Sequence, residues 1–202
     1  MSICYIVGAG DLERTFTPRK GDLVIAADGG YDKLFSLGIK CDLLIGDLDS
    51  IKEAPHGVPT QRHPVKKDET DMHLAYLEGA KRGFSEFVIL GGTGGREDHT
   101  FANYSLLLYI ANRGHNARLL SNTGDVFMLK SGSMTLSGEK HKHLSAFPFG
   151  SVAHGVTIKG AEYECEGITL TPEFPLAVSN RFLDSEVKIS VLDGAVLVMR
   201  EI

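Results

Sequence analysis

The sequence contains no tryptophan and only three cysteines among its 202 residues. Cys4, Cys41 and Cys165 are far apart and odd in number, so they predict neither a disulfide framework nor a CxxC metal site. Free cysteines are typical of a reducing compartment, and no basic segment precedes the first apolar run, so we expect a cytoplasmic protein without a signal peptide. No apolar run approaches the roughly 20 residues of a membrane-spanning helix, and we expect no membrane partner.

Positive charge is also scarce. The chain has 21 Lys and Arg against 26 Asp and Glu, which gives a formal net charge of −5. Nucleic acids are bound through clustered Lys and Arg, so we expect no nucleic-acid partner. The one compact basic cluster, Arg62, Lys66 and Lys67, is too small for a DNA footprint but large enough for one polyphosphate.

The two parts of the chain have different patterns. Up to residue 122, short apolar runs such as Ile3–Val7 and Leu23–Ala27 alternate with segments of helical periodicity. This alternation predicts an α/β domain over residues 1–122, with an open, mostly parallel, Rossmann-like sheet flanked by helices. From residue 123 to 202, evenly spaced strand-like runs separated by glycine turns predict an all-β sandwich or barrel, with a hairpin turn at Asp193-Gly194.

Each early strand of the predicted α/β domain is followed by a loop rich in Gly and Asp. The four loops are Gly8–Asp11, Asp28–Gly30, Gly46–Ser50 and Gly91–His99. Because the carboxyl ends of parallel strands meet at one edge, where open α/β sheets bind ligands, we expect the loops to converge on one crevice. Glycines let backbone N–H groups approach phosphate oxygens, and the carboxylates of Asp47 and Asp49 suit Mg²⁺.

Each loop also has an interpretation without a ligand. Asp28-Gly29-Gly30 fits a plain strand-to-helix turn, and Asp47 and Asp49 fit a solvated loop with a helix cap. Asp68 is a possible cap of the following helix, and with Asp71 it would complement the helix dipole. Four glycines among Gly91–Gly95 cost conformational entropy and need a backbone reason. The prediction of a phosphate site therefore depends on the four loops jointly.

Taken together, these stretches resemble the thiamine pyrophosphokinase family. The matching segments are Ala27–Gly30, Gly46–Ser50, Lys67–Asp71 and Gly91–His99, in the family's order, and Val178–Asn180, which is similar to its Ser-Asn motif. The resemblance implies transfer of the diphosphate of ATP to the hydroxyl of thiamine, with AMP as the second product and Mg²⁺ as cofactor. It also implies a homodimer whose sites lie at the subunit interface.

The resemblance assigns roles residue by residue. It implies Asp47, Asp49 and Asp71 as Mg²⁺ ligands, and Asp71, Arg96 and Asp98 as catalytic residues. The nucleotide- and substrate-binding residues that it implies are Asp28, Gly29, Gly30, Asp68, Thr70, Gly94 and His99, with Ser179 and Asn180 on the thiamine side. The general base is Asp98 or Asp71, with His99 as a further alternative. Because the chain lacks Trp, Phe174 or Phe182 is expected to stack on thiamine.

Other functions remain open from the residues alone. The Asp47-x-Asp49 pair resembles the nucleophile motif of haloacid-dehalogenase-like phosphatases, although that motif should follow the first strand. It also resembles the metal site of nucleotide-sugar transferases, which usually have longer chains. A non-catalytic nucleotide sensor would bind ATP without turnover.

Overall fold

A computed structural model of the protein describes residues 1–49, 51, 57–64 and 66–202. The chain divides into two compact units. The first comprises residues 1–106 and 114–122, and the second comprises residues 107–113 and 123–202. None of the described helices is long and apolar enough to cross a membrane.

The first unit is built on parallel strands. Its described strands are Cys4–Val7 (β1), Leu23–Ala27 (β2), Leu43–Gly46 (β3), Thr60–Arg62 (β4), Glu86–Leu90 (β5) and Asn116–Leu120 (β6). They are ordered β6-β5-β1-β2-β3-β4, and each pairing is parallel. Every residue of β1, β2 and β3 is buried, as expected for strands covered on both faces.

The described helices are Gly30–Ser36 (α1), Asp71–Lys81 (α2) and Glu97–Ala111 (α3). Helix α1 packs Tyr31 and Leu34 into a core shared with β1, β2, β3 and β5. Helix α2 begins with Thr70 as its cap, because the Thr70 hydroxyl accepts a 3.2 Å hydrogen bond from the backbone N–H of His73. The prediction that Asp68 caps this helix is therefore wrong.

The second unit pairs its strands antiparallel. The described strands are Gly124–Ser137 (β7), His143–Pro148 (β8), Ala153–Lys159 (β9), Cys165–Leu170 (β10), Ala177–Arg181 (β11) and Glu186–Glu201 (β12). Strand β12 pairs with β7 along most of its length, with β9 through its first half and with β8 through its second half. The remaining pairs are β10 with β9 and β11 with β8.

The predicted hairpin at Asp193-Gly194 is wrong. Both residues lie inside β12, where the register with β7 shifts between Val191 and Ala195. Gly194 has φ +97, a conformation that favours glycine, so this dipeptide forms a bulge rather than a turn. The bulge lies where β12 changes its neighbour from β9 to β8, and one core of buried residues draws on both halves of the strand.

Over the whole chain, the strands therefore have mixed directions. The pairings of the first unit are parallel and those of the second are antiparallel. The protein has an α/β fold with a mixed sheet, and the expectation of a mostly parallel sheet describes the strand pairs of the first unit only.

Candidate active site

A pocket of about 510 Å³ lies at the carboxyl ends of β1, β2, β3 and β5. Its lining comes from the residues that follow these strands, such as Gly10, Asp28, Asp47 and Gly94, and from the first residues of α2 and α3. Volumes of this size are typical of sites for small ligands. The fold of the first unit thus brings all four Gly/Asp-rich loops to one place.

Three carboxylates come together beside this pocket. Oxygen atoms of Asp28, Asp47 and Asp49 all lie within 4.8 Å of one another. The backbone holds the group in place, since Asp28 N donates to Ile45 O at 2.8 Å and Asp49 N donates to the Asp47 side chain at 3.1 Å. Ligands about 2.1 Å from one Mg²⁺ ion are at most about 4.2 Å apart, so shifts of less than about 1 Å would bring these three hard oxygen donors onto such a cation.

Asp71 lies in the same pocket but outside this carboxylate group. It is the first residue of α2, and its Oδ1 accepts a hydrogen bond from Lys67 Nζ at 2.7 Å. The side chains of Lys67 and Asp71 are only 12% and 24% exposed. The structure therefore groups two of the three expected metal ligands, Asp47 and Asp49, with Asp28, which the sequence interpretation had placed in the nucleotide pocket.

Gly91 of the fourth loop has a backbone reason that lies within the protein. Gly91 has φ +59, and a Cβ atom there would overlap the carbonyl oxygen of Gly8. Gly10 N donates to Gly91 O at 2.9 Å, and Asp11 N donates to Thr93 O at 2.8 Å. The first and fourth loops thus pack backbone against backbone, and this close approach explains Gly91 without a ligand. Gly94 lines the pocket beside the Asp11 carboxylate.

Asn103 is a pocket residue that the sequence interpretation missed. Its side chain is 6% exposed, and its Nδ2 donates to the carbonyl oxygen of Gly92 at 2.7 Å. Arg96, His99 and Asn103 all line the pocket; Arg96 immediately precedes α3, and His99 and Asn103 lie four residues apart on one face of the helix. Asn103 is a polar residue at helical spacing from two candidate site residues, and this spacing was the sequence signal that could have identified it.

Arg96 and Asp98 form an exposed ion pair at the start of α3. Arg96 Nε and Nη2 contact the two carboxylate oxygens of Asp98 at 3.1 and 2.5 Å, and Asp98 Oδ1 also accepts from His99 N. The hydrogen bond from Arg96 holds the pKa of Asp98 below its usual value, so this carboxylate is a weaker base than an ordinary aspartate. Arg96 and His99 line the pocket, whereas Asp98 does not.

The remaining predicted residues of the first unit lie partly inside and partly outside the pocket lining. Gly29 precedes α1, and Gly30 is buried where a Cβ atom would overlap the carbonyl oxygen of Val7, so Gly30 is explained by helix–strand packing. Asp68 is exposed, whereas Thr70 lines the pocket and caps α2. Of the predicted basic cluster, Lys67 lines the pocket, and Lys66 does not.

The Ser-Asn motif belongs to β11 in the second unit. Ser179 has φ +57, and its backbone N–H donates to Ser145 Oγ at 3.1 Å. Asn180 is 3% exposed, and its amide bonds both backbone groups of Tyr163, with Nδ2 donating to the carbonyl at 2.8 Å and Oδ1 accepting from the N–H at 2.9 Å. Asn180 therefore fixes the backbone at Tyr163, whose own side chain is exposed.

The two aromatic candidates differ in exposure. Phe182 is fully buried in the core of the second unit, so the expectation that it stacks on a ligand is wrong. Phe174 is 61% exposed.

The fold and the site define an α/β protein with a pocket of carboxylates, glycines and cations at the carboxyl ends of parallel strands. Residues 18–119 match the family model "Thiamin pyrophosphokinase, catalytic domain", and residues 133–196 match "Thiamin pyrophosphokinase, vitamin B1 binding domain". The chain belongs to the thiamin pyrophosphokinase family.

Similar proteins agree with this membership. A thiamine pyrophosphokinase of Bacillus subtilis (strain 168) is 28% identical over 185 residues, which cover 88% of this chain and 86% of the relative. A crystal structure of thiamine pyrophosphokinase from Bacillus subtilis has a TM-score of 0.88 at 25% identity and covers 99% of both chains. The thiamin pyrophosphokinase from Candida albicans shares the fold, with a TM-score of 0.76 at 17% identity over 100% of this chain and 89% of the other.

Proposed function

We propose that the protein transfers the diphosphate group of ATP to the primary hydroxyl of thiamine and releases thiamine diphosphate and AMP. The observation that carries this proposal is the pocket of the first unit, where glycine-rich loops and two cations lie beside the group of Asp28, Asp47 and Asp49 in a chain of this family. A phosphatase of the haloacid-dehalogenase type is disfavoured because Asp47 follows the third strand rather than the first.

Asp28, Asp47 and Asp49 are the residues that would hold Mg²⁺. When bound there, the cation supplies positive charge to the phosphate oxygens of ATP. Arg96 offers a planar fork of N–H donors to a phosphate, and the backbone N–H groups of the glycine-rich loops suit the same anion. Catalysis of this reaction depends mostly on positioning and charge neutralisation, so these contacts carry most of the effect.

Asp71 is our candidate for the general base. It lines the pocket, whereas Asp98 does not and has a lowered pKa because Arg96 donates to it. In this assignment Asp98 orients Arg96, and Asp71 accepts the proton of the thiamine hydroxyl. Replacing Asp71 by Asn is expected to lower turnover sharply while leaving the protein folded. Turnover equal to that of the parent would remove Asp71 from the mechanism.

We further propose residues 1–122 as the ATP- and Mg²⁺-binding catalytic domain and residues 123–202 as a β-sandwich domain that binds thiamine. The family matches at 18–119 and 133–196 support this division.

We also propose a cytoplasmic location, which is supported by three cysteines that are all free.

The proposed reaction is tested by incubating the purified protein with ATP, Mg²⁺ and thiamine and separating nucleotides and thiamine derivatives by chromatography. Equal amounts of AMP and thiamine diphosphate are expected, and neither should form when thiamine is omitted. The variant Asp49→Asn should lose activity, while the matched variant Asp184→Asn, at an exposed position of the second unit, should keep it. Formation of ADP or free phosphate would indicate a kinase or hydrolase, and ATP binding without turnover would indicate a sensor.

We also propose a homodimer whose active sites are completed across the subunit interface, as in the family. Sedimentation should give twice the mass of one chain. Mixing Asp49→Asn protein with Ser179→Ala protein should restore part of the activity if one site uses Asp49 of one subunit and Ser179 of the other. A monomer, or a dimer without restored activity, would contradict shared sites.

A further inference from the structure

The pocket of the first unit has an excess of acidic side chains in the ligand-free protein. Among the described residues, five that line it are acidic, namely Asp11, Asp28, Asp47, Glu69 and Asp71. Two are cationic, namely Lys67 and Arg96. A polyphosphate that enters this pocket therefore meets more negative than positive charge. Its binding depends on whether the two cations can contact the phosphate oxygens.

Each of the two cations is already engaged with a carboxylate. Arg96 is held by Asp98, and both side chains are more than 60% exposed, so water and salt screen that pair strongly. Lys67 is held by Asp71 at 2.7 Å, with side chains only 12% and 24% exposed. The charge of Lys67 is therefore neutralised inside the pocket, where the ion pair is screened much less.

The chemistry of Lys67 suits an exchange of partners. Its ammonium group is a compact point charge with three donors on a flexible four-carbon stem, so it can turn from a carboxylate to a phosphate without a matching planar geometry. Asp71 is the first residue of α2, where the helix dipole stabilises a carboxylate that has lost its cation. When the ion pair between Lys67 and Asp71 breaks, each partner is therefore stabilised by another group.

We propose that Lys67 is a polyphosphate-binding residue that Asp71 holds inactive in the ligand-free protein. When a polyphosphate binds, Lys67 leaves Asp71 for the phosphate oxygens, and the Asp71 carboxylate becomes available to the second substrate. The inference rests on the proposed polyphosphate substrate and is independent of thiamine as its acceptor. It adds to the proposed function a link between the arrival of the polyphosphate and the release of the candidate base.

The test is a double-mutant cycle that measures binding rather than turnover. Inorganic tripolyphosphate is titrated calorimetrically, with EDTA present, into the parent protein, Lys67→Gln, Asp71→Asn and the double variant. Asp71→Asn is expected to bind tripolyphosphate several-fold more tightly than the parent, because Lys67 is released. In the Lys67→Gln background the same change of Asp71 is expected to have a much smaller effect, and Lys67→Gln alone is expected to bind more weakly than the parent.

Lys66→Gln is the matched control, since it removes the same charge at the neighbouring exposed position outside the pocket lining. It should leave tripolyphosphate binding close to that of the parent. An equal gain from Asp71→Asn with and without Lys67 would overturn the proposal, because Asp71 would then act by repulsion alone. Absence of any gain, or of tripolyphosphate binding in all four proteins, would overturn it as well. If Asp71→Asn does not fold, as judged by circular dichroism, Asp71→Ser takes its place, because serine is well tolerated at helix starts.

Because the cycle contains no thiamine, it separates the two proposals. A cycle that behaves as expected in a protein that forms no thiamine diphosphate would keep the role of Lys67 and reject the acceptor. Normal thiamine diphosphate synthesis in a protein whose double-mutant cycle is additive would keep the proposed acceptor and reject the role of Lys67.

Discussion

Asn103 Nδ2 donates a 2.7 Å hydrogen bond to the carbonyl oxygen of Gly92, and so joins helix α3 to the glycine-rich loop that follows β5. Asn103 is 6% exposed, so this hydrogen bond is buried. The loop also depends on the first loop, through the bond from Gly10 N to Gly91 O. Its shape is therefore set by backbone and helix before any ligand binds.

Replacing Asn103 by Ala should both destabilise the protein and weaken ATP binding. The change leaves the buried Gly92 carbonyl without its partner, which costs about 1–3 kcal/mol in the free energy of unfolding. Urea unfolding followed by circular dichroism measures the first effect, and ATP titration of the folded protein measures the second. Asn112→Ala, at an exposed position just after α3, is the control and should change neither quantity. Unchanged ATP affinity in Asn103→Ala would mean that the amide serves stability alone.

Removal of one carboxylate from the group of Asp28, Asp47 and Asp49 should weaken divalent-cation binding. Loss of a group that merely orients a metal ligand typically costs 10–100-fold in affinity, so loss of a ligand should cost at least about tenfold. Mn²⁺ binding to the nucleotide-free protein, followed by electron paramagnetic resonance, measures this for Asp28→Asn and Asp47→Asn. Asp71→Asn should bind Mn²⁺ nearly as the parent does, because Asp71 lies outside the group. The reverse order of effects would place the cation at Asp71 instead.

The two phenylalanines of the second unit should respond oppositely to truncation. Phe182→Ala should destabilise the protein by about 3–5 kcal/mol, because it removes a fully buried ring from the core. Phe174→Ala should leave stability nearly unchanged and raise the KM for thiamine without affecting that for ATP, if this exposed ring stacks on the substrate cation. Phe35, which is 60% exposed on α1, provides the matched control, and Phe35→Ala should change neither KM.

The stability of the second unit should contain a pH-dependent contribution from Glu201. The backbone N–H of His143 donates to Glu201 Oε2 at 3.0 Å, and the His143 ring nitrogen Nδ1 lies 2.7 Å from the same oxygen. These two contacts lower the pKa of Glu201 from 4.5 to about 2. A lowered carboxyl pKa stabilises the folded protein above the unfolded pKa, and this contribution is lost as the pH falls through the folded pKa.

Glu201→Gln should therefore melt at a lower temperature than the parent at pH 7. The difference should persist down to about pH 4.5 and shrink between about pH 4.5 and pH 2. Thermal unfolding over this range checks the prediction, with Glu186→Gln at the exposed start of β12 as the control. A difference in melting temperature that does not depend on pH would assign the loss to packing rather than to the charge.

The sequence predicted that the four loops converge, because there local pattern and topology act together. Short buried runs followed by Gly and Asp predicted parallel strands with loops at one edge, and the pairings of β1, β2, β3 and β5 are parallel. The family membership also followed from the sequence, because the order of several loop motifs along the chain is specific even though each motif is weak. The resemblance did not identify Asp28 as a member of the carboxylate group, since Asp28 and Asp47 are 19 positions apart and belong to different loops.

The errors arose where a local pattern has two physical outcomes. Asp193-Gly194 suits a hairpin turn and a bulge equally well. It forms a bulge because β12 pairs with the long strand β7 on both sides of this dipeptide. From the sequence alone, Phe182 is a candidate to stack on a ligand. Only the packing of the strands around one core determines that its ring is buried.

The sequence by itself determined the alternation of buried strands and helical segments in the first half, the Gly- and Asp-rich loops that follow the strands and the family of the chain, because these depend on residue type and spacing along the chain. Only the tertiary structure decided which carboxylates share one group, that Asp71 is paired with Lys67, and that Asn103 supports the glycine-rich loop. These features depend on distances between residues on different elements. Hydrogen bonds and ion pairs act over a few ångströms, and sequence spacing does not fix those distances once the chain turns.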